Sequence, residues 1–147
     1  MQTELKLNIG CFNNPVDGWI NIDITLHTII AKFPLFRELL YKFRILSPER
    51  YKEHLEGKFD NILRYDIRKG LPFPDGCCIY IYSSHFIEHL FYPEVEKFFM
   101  ECYRVLCKGG VRTVVPDFYN YVQKYMNFRK ENVGNIILED CLNDDKF

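Results

Sequence analysis

Polar residues and glycine follow several apolar runs of this sequence, at the points where predicted strands end. The loop from Gly10 to Asn14 follows the apolar run Leu5–Ile9. Asp23 ends a second run, and Asp66 follows a third. A residue without Cβ allows a tight turn and a close approach of backbone to ligand, and a carboxylate accepts hydrogen bonds from hydroxyl or amino groups. These residues favour a binding site for a nucleotide-like ligand.

A second candidate segment, Ser83–His89, follows the apolar run Cys77–Tyr82. Its residues His85-Phe-Ile-Glu88-His89 match H-x-x-E-H, the inverted zinc-peptidase motif. In that motif two histidines on one helix bind zinc and the glutamate activates water. However, His85 directly follows a predicted strand, and no downstream motif supplies a third ligand. The sequence therefore favours a site without metal, and the zinc hydrolase is kept as an alternative.

The composition describes one packed domain over residues 1–147. The chain is 48% apolar with a net charge of −1, which does not favour nucleic acid as a partner. No apolar run approaches the roughly 20 residues that span a bilayer, and Met1–Ile9 lacks the apolar core of a signal peptide. The six cysteines contain no C-x-x-C pair, so we expect free thiols. A soluble, cytoplasmic protein without a membrane partner is expected.

Apolar periodicity predicts strands that alternate with helices. The predicted strands are Leu5–Ile9, Ile20–Ile24, Phe59–Tyr65, Cys77–Tyr82 and Val111–Val115, and the predicted helices are Ala31–Leu46, Ser47–Lys58, Pro93–Leu106 and Phe118–Phe128. Gly109 and Gly110 are expected to end the third helix, and Arg68–Gly76 is expected to be irregular. The nine residues Gly10–Gly18 cannot hold a full crossover helix.

This alternation predicts an α/β fold: a Rossmann-like three-layer sandwich with a mostly parallel central sheet. Ligands of such folds bind at the carboxyl ends of the strands, near the point where the strand order reverses. Gly10, Asp23, Asp66 and Ser83–His85 should therefore share one crevice although they are far apart in sequence. The loop after the first strand should lie at the reversal point.

Several motifs occur in an order that matches a known family. They are Leu7-Asn-Ile-Gly-Cys11, Gly18-Trp-Ile-Asn-Ile-Asp23, Asp66, Leu71-Pro-Phe-Pro-Asp75, Ser84-His-Phe-Ile-Glu-His-Leu90, Glu101-Cys-Tyr-Arg-Val-Leu106, Lys108-Gly-Gly110 and Val114-Val-Pro-Asp117. With these motifs the chain resembles the class I S-adenosylmethionine-dependent methyltransferases of the type 11 group. The resemblance spans Leu5 to Asp117.

The resemblance implies S-adenosyl-L-methionine as cofactor and assigns a role to each site residue. Asp23 would accept hydrogen bonds from the ribose hydroxyls, and Asp66 would face the adenine amino group. Ile67 or Leu71 would pack against the adenine ring. A strand-end turn or a helix cap would explain either aspartate equally well. The remaining implied cofactor contacts are the loop residues Gly10, Cys11, Phe12, Asn13 and Asn14, near the methionine part, and Ser83 and Ser84.

Methyl transfer from a sulfonium is an in-line displacement, so the protein mainly aligns donor and acceptor. If the acceptor must lose a proton, His85 and Glu88 are the catalytic candidates, because an imidazole titrates near neutral pH. His85 could instead cap a turn or line the pocket. The expected acceptor is a small molecule of unidentified structure.

The chain departs from the family pattern at three places. Phe12 stands where the second glycine of the first motif is expected, so its ring would either block the pocket or swing aside. Cys107-Lys-Gly-Gly110 replaces Lys-Pro-Gly-Gly. Only 30 residues follow Asp117, which leaves the C-terminal strands shortened or missing. An inactive or C-terminally truncated cofactor-binding relative is therefore the main alternative.

The fifth strand would expose an apolar sheet edge, and an unpaired edge invites aggregation. Three outcomes are expected. The run Ile136-Ile-Leu138 pairs with that edge, a second subunit covers it in a homodimer, or the chain is a truncated gene product.

Overall fold

The computed structural model describes residues 4–129. The chain divides into two units, Met1–Val115 and Pro116–Phe147. The first unit contains the sheet and four α-helices, and in the second unit residues 118–129 are helical. The strands of the first unit are β1 (Leu5–Ile9), β2 (Ile20–Asp23), β3 (Ile62–Arg64), β4 (Cys78–Ser84) and β5 (Leu106–Val114). The helices are α1 (His27–Ala31), α2 (Pro34–Lys42), α3 (Pro48–Leu55) and α4 (Tyr92–Val105).

The five strands form one sheet in the order β3-β2-β1-β4-β5, and every neighbouring pair is parallel. The predicted α/β class with a parallel sheet is thereby confirmed. The order reverses between β1 and β4, so the loop after β1 lies at the reversal point, as the sequence predicted. No helix lies between β1 and β2 among these described residues, because the connection is too short for one. Within residues 4–129 no further strand follows β5.

The main core lies between α4 and the sheet. The apolar stripe Phe98, Cys102 and Val105 of α4 is buried against Leu7 of β1 and Ile81 of β4. This stripe recurs at helical spacing, whereas β1 and β4 contribute alternate residues to this core. The next residues along β1 and β4, Lys6 and Tyr80, are exposed.

The region between β2 and α3 differs from the single long helix predicted over Ala31–Leu46. A proline restricts the residue before it to extended backbone, and Phe33 adopts φ −125° and ψ 82°. Helix α2 therefore begins at Pro34, and a separate short helix, α1, precedes it. Helix α2 ends at Lys42, because Arg44 turns the chain with φ 58°. That turn brings Leu46 into the interior, where it is 5% exposed.

Helix α3 confirms the predicted start at Ser47 and Pro48. The Ser47 hydroxyl accepts a hydrogen bond from the Arg50 amide at 3.3 Å, and Pro48 occupies the first turn, where its missing N–H is not needed. Strand β3 is shorter than the predicted strand Phe59–Tyr65. Phe59 lies before it and packs with Cys11 and Ile62 in a second core cluster. The segment Arg68–Gly76 was predicted to be irregular, but its first two residues belong to a 3₁₀ turn at Ile67–Lys69.

The predicted helix stop at Gly109 and Gly110 is wrong. Helix α4 ends at Val105, and Leu106 already has extended backbone (φ −76°, ψ 130°), so the chain enters β5 without a turn. Both glycines lie within β5, where the pairing with β4 shifts between Cys78 and Tyr80. Gly109 takes φ 86°, and a Cβ on it would lie 1.9 Å from the carbonyl oxygen of Ile79. The glycine therefore permits a β-bulge rather than a helix cap.

The Arg104 side chain fastens the loop before β4 to α4. Its guanidinium donates to the carbonyl oxygens of Leu71 and Phe73, each at 2.9 Å, and pairs with Asp75 at 2.7 Å. Glu101 completes the network by accepting from Arg104 and from the Leu71 amide. The hydrogen bonds from Arg104 and Leu71 lower the pKa of Glu101 to about 2. The motif residues Glu101 and Arg104 therefore have a structural role.

In the second unit, the helix at 118–129 confirms the predicted helix Phe118–Phe128. Asp117 caps it by accepting from the Asn120 amide at 3.1 Å. The run Ile136-Ile-Leu138 lies outside the described residues, so the expectations for the sheet edge and the homodimer stay predictions. Among residues 4–129, no helix has the length and apolar character needed to cross a bilayer.

Gly109→Ala is expected to lower the free energy of unfolding by about 2 kcal/mol or more, because the added Cβ is blocked and the positive φ is strained. Gly110→Ala is the matched control, since a Cβ there meets no atom within 4 Å. The control should change the free energy by less than about 1 kcal/mol. Urea unfolding measures both variants, and equal destabilisation would contradict the bulge assignment.

Candidate functional site

A cavity of about 370 Å³ opens at the carboxyl ends of β1, β2 and β3. This volume lies in the range of small-molecule sites. Sequence-predicted residues contribute much of its wall: Gly10, Phe12, Asp23, Asp66, Ile67 and His85. The sequence assigned no cofactor contact to the other lining residues, which are Ile9, Ile22, Ile24, Tyr65, Phe86 and His89, the last two within the candidate segment Ser83–His89. Several of these are neighbours of predicted residues at the same strand ends, which was the available signal.

The loop after β1 begins with a sharp turn at Gly10, which has φ 68°. Its amide donates to the Ile22 carbonyl oxygen at 2.9 Å, so the turn is fixed to β2. A Cβ at Gly10 would lie 2.6 Å from the Phe86 ring. The glycine therefore makes room for Phe86, a requirement that is independent of any ligand and that the sequence argument missed.

The Asp23 carboxylate joins the end of β2 to this loop. One oxygen accepts from the Phe12 amide at 2.9 Å, and the other accepts from the Thr25 amide at 2.7 Å. An ionised carboxylate offers about four lone-pair positions, so roughly two remain free to accept from a ligand. The strand-end turn and the ligand contact are thus compatible at this residue.

Asp66 caps the 3₁₀ turn and forms a two-pronged ion pair with Arg68. Its Oδ1 accepts from the Arg68 amide and Nε, and its Oδ2 accepts from the second guanidinium nitrogen at 2.9 Å. The hydrogen bonds from Arg68 lower the pKa of Asp66. The capping role that the sequence left open is therefore present, and the residue also lines the cavity. Ile67 and Leu71 both belong to the main core, and of the two only Ile67 also lines the cavity.

The Phe12 ring turns away from the loop backbone and packs against a neighbouring cluster. Its centroid lies 5.8 Å from that of Phe59 and 5.9 Å from that of His27, both edge-to-face. The Arg50 guanidinium lies 4.8 Å from the ring centroid. Phe12 has φ 45°, the left-handed conformation that a glycine would adopt easily. The ring nevertheless forms part of the cavity wall.

The other loop residues are held by side chains rather than by a helix. The Cys11 thiol is buried, and burial raises its pKa to about 12, so it stays protonated. Asn13 donates to Glu53 of α3 at 2.7 Å, and the Asn14 carbonyl oxygen accepts from Asn8 at 3.1 Å. Side-chain contacts from α3 and β1 therefore hold this loop in place of a helix.

A second cavity, of about 540 Å³, is lined by all five residues of this loop. The two cavities share four wall residues, Gly10, Phe12, His85 and His89. Ser84 lines the second cavity. Ser83, by contrast, is fully buried and donates to the Thr113 hydroxyl of β5 at 3.1 Å. Ser83 therefore pairs strands, and its side chain does not reach either cavity.

His85 stands at the junction of the two cavities. It has φ 52°, and its amide donates to the Val114 carbonyl oxygen at 2.9 Å, so β5 fixes this backbone. Its Nδ1 lies 3.3 Å from a carboxylate oxygen of Glu88, and the imidazole side chain is 61% exposed. Strained backbone of this kind is concentrated at functional sites. The predicted pair of His85 and Glu88 is thus brought together.

The geometry differs from that of the inverted zinc-peptidase motif. His85 follows β4 and lies outside any helix, and only a 3₁₀ turn, Ile87–His89, follows it. The two histidines therefore do not project from one helix face, as that motif requires. Among residues 4–129, no three His, Cys, Asp or Glu side chains are placed to share a metal ion. The five cysteines of that part of the chain are free.

Two histidines beside the loop were not identified from the sequence. His54 of α3 is 2% exposed, and its Nε2 lies 3.0 Å from Nδ1 of His27. Burial, with the adjacent His27 and Arg37, lowers the pKa of His54 to about 4, although Asp60 and Glu53 oppose the shift. Burial and Arg50 lower the pKa of His27, against the effect of Glu53. Both rings also pack against Phe59, so this neutral pair supports the wall behind Phe12.

The fold and this crevice define a Rossmann-like α/β protein with a cavity at the reversal of its strand order. Residues 44–114 match the family model of the methyltransferase domain. This match confirms the resemblance to class I S-adenosylmethionine-dependent methyltransferases. The matched segment runs from the end of α2 to the end of β5, so β1, β2 and the loop between them precede it. A comparison with curated proteins found no match.

The free energy of unfolding is expected to fall as the pH drops from about 6.5 to about 4. In that window the unfolded chain binds a proton at His54 that the folded chain does not, so acid favours the unfolded state. The total loss from His54 is on the order of 3 kcal/mol. His54→Phe should remove most of this pH dependence in urea unfolding. Because the pKa of His27 is also lowered, a smaller slope should remain, and a slope as steep as that of the wild type would contradict the assignment.

His85→Gly is expected to leave the protein about 1 kcal/mol more stable than His85→Ala, because only glycine relaxes the positive φ. The same pair of substitutions at His89, whose φ is not positive, is the control. There alanine should be the more stable replacement, since glycine gains more entropy on unfolding. Thermal unfolding of the four variants tests this, and the same order at both positions would contradict strain at His85.

Proposed function

We propose that the protein is an S-adenosyl-L-methionine-dependent methyltransferase that acts on a small-molecule acceptor. The observation that carries the proposal is the cavity at the reversal of strand order, with Asp23 and Asp66 at the ends of adjacent strands. An acid at the end of the second strand is placed to bind ribose hydroxyls in folds of this type. The methyltransferase-domain match supports the general class.

In this proposal the adenosine part of the cofactor occupies the first cavity. The free lone pairs of Asp23 accept from the ribose hydroxyls, and Asp66 accepts from the adenine amino group beside its bond to Arg68. Tyr65 and Ile67 offer apolar surface to the adenine ring. Polar groups at the edges and apolar walls between them suit a flat, hydrogen-bonding base with a sugar attached.

The methionine part would cross the loop Gly10–Asn14 toward the second cavity, which would receive the acceptor. The loop brings no helix dipole to the ligand, and the amides of Gly10, Phe12 and Asn14 already donate within the protein. The polar contacts to the methionine part would therefore come from loop carbonyl oxygens and from the polar side chains that line the second cavity. Methyl transfer needs donor and acceptor in line at near-attack distance, and two adjoining cavities allow that arrangement. A volume of about 540 Å³ suits a small organic acceptor.

His85 is proposed as the general base for an acceptor that must lose a proton. It borders both cavities, which is where the acceptor atom would meet the methyl group. Glu88 lies 3.3 Å from Nδ1, so it orients the ring and leaves Nε2 as the nitrogen that accepts the proton. The proton then moves from the acceptor to Nε2 while the methyl group leaves the sulfur.

A second candidate function is cofactor binding without methyl transfer. The observation in its favour is Phe12, whose ring forms part of the wall of both cavities. A ring at this position narrows the passage through which the sulfonium and the acceptor must meet. Phe12→Gly separates the two functions: tighter binding of the cofactor would indicate an obstructed site, and weaker binding would indicate that the ring is part of it.

Calorimetric titration with S-adenosylhomocysteine is the direct test of the proposed function. Asp23→Ala should weaken binding at least about tenfold, because it removes charge-assisted hydrogen bonds to the ribose. Asp17→Ala is the matched control: Asp17 is exposed in the same β1–β2 connection and lines neither of these two cavities. Its affinity should equal that of the wild type.

Two outcomes would contradict the proposal in different ways. Folded wild-type protein that does not bind S-adenosylhomocysteine would exclude the function. Equal binding by wild type and Asp23→Ala would exclude the assigned site while leaving a cofactor site elsewhere. Thermal unfolding of each variant shows whether a loss of affinity reflects a loss of folded protein.

A further inference from the structure

We propose that Glu53 of α3 is a positioning residue for the cofactor loop Gly10–Asn14, acting together with Arg50. The proposal rests on the proposed function, because it concerns the loop that would bind the methionine part of the cofactor. It assigns to α3 the support that a helix directly after β1 would otherwise give. No such helix is present between β1 and β2 in the described part of the chain.

The contact between α3 and the loop begins at Asn13. Its side-chain amide donates to Oε1 of Glu53 at 2.7 Å, a short hydrogen bond to a charged acceptor. The side-chain oxygen of Asn13 in turn accepts a hydrogen bond from the side-chain amide of Asn14 at 3.0 Å. Glu53 therefore holds one loop residue directly and the next through it.

Arg50 extends the same contact to Phe12. Arg50 forms an ion pair with the other carboxylate oxygen of Glu53, and its guanidinium lies 4.8 Å from the centroid of the Phe12 ring. A guanidinium over an aromatic face is held by the electrostatic attraction of the ring. Arg50 and Glu53 are three residues apart on α3, so both side chains project from one face of the helix.

The loop residue that Arg50 holds is itself bonded to the proposed ribose acid. The Phe12 amide donates a hydrogen bond to the Asp23 carboxylate at 2.9 Å. A shift of Phe12 would therefore weaken this hydrogen bond and change the position of the carboxylate. The chain of contacts thus runs from Glu53 through Arg50 and Phe12 to Asp23. Glu53 does not line the cavity, which makes its role one of positioning.

The electrostatic environment keeps Glu53 charged. Burial opposes its ionisation, but the hydrogen bonds from Asn13 and Arg50 outweigh that effect and lower its pKa. The Glu53 side chain is 17% exposed, so water competes little for these contacts. Such a partly buried, doubly bonded carboxylate defines one loop geometry more strongly than an exposed ion pair does.

Hydrogen exchange in the free protein tests the loop support without any ligand. The amides of Phe12 and Asn14 are the probes, because both donate hydrogen bonds that depend on the loop geometry. Glu53→Ala should speed their exchange about tenfold, the effect of one lost hydrogen bond to a charged group. Glu53→Gln, which keeps the acceptor for Asn13, should stay within about threefold of wild type.

Affinity for S-adenosylhomocysteine, measured by calorimetry on the same variants, tests the link to the cofactor. Glu53→Ala should raise Kd about tenfold, and Glu53→Gln should restore most of the affinity. Glu49→Ala is the control, because Glu49 is an exposed glutamate of the same helix. It should change neither the exchange rates nor Kd.

The outcomes separate this inference from the proposed function. Unchanged exchange in Glu53→Ala, or an equal effect of Glu49→Ala, would overturn the positioning role. Faster exchange with unchanged Kd would show that the support exists but does not serve the cofactor, which also overturns it. A third outcome is that the wild type does not bind S-adenosylhomocysteine while exchange responds as expected. That outcome would exclude the proposed function and the role of Glu53 in cofactor binding, and it would leave only the structural contact between Glu53 and the loop.

Discussion

The hydrogen bond from the Phe12 amide to the Asp23 carboxylate is the contact on which the candidate site depends. It joins the two parallel strands β1 and β2 at their carboxyl ends, where the connection between them is too short for a helix. A loop without a following helix has no regular backbone ladder to satisfy its amides, so other acceptors must do so. The Ile22 carbonyl oxygen accepts from the Gly10 amide, and the Asp23 carboxylate accepts from the Phe12 amide. On the other side of the loop, Glu53 holds the Asn13 side chain.

A second consequence of the short connection is the role of polar residues inside the sheet. Asn8 and Asn21 are register partners in β1 and β2, both buried, and they are bonded to each other at 2.9 Å. Asn21 also bonds both backbone groups of Val16, at 2.7 and 3.1 Å. These amides replace the hydrogen bonds that a crossover helix would have made within itself. Buried polar groups with partners on every side define a single loop conformation.

Left-handed backbone occurs at two non-glycine residues around the crevice, Phe12 and His85. In both cases a side-chain or strand contact fixes the residue: Asp23 accepts the amide of Phe12, and Val114 of β5 accepts the amide of His85. The backbone strain at each residue is about 1 kcal/mol or more, and it is tolerated because contacts with the surrounding sheet hold both residues in place. Both residues line both cavities, between which the proposed methyl transfer would occur.

The sequence by itself determined the α/β class and the strand ends that carry Gly10, Asp23 and Asp66, because these follow from apolar periodicity and from local turn chemistry. The order of its motifs carries the resemblance to a methyltransferase family. It did not determine the end of α2, where the non-glycine residue Arg44 takes a positive φ, or the role of Gly109, whose conformation depends on the distant Ile79 carbonyl oxygen. The requirement for Gly10 also has a tertiary origin, because the Phe86 ring that occupies the space of a Cβ comes from the loop after β4. Only the tertiary structure paired Asn13 with Glu53 and His27 with His54, because hydrogen bonds between residues far apart in sequence leave no local pattern.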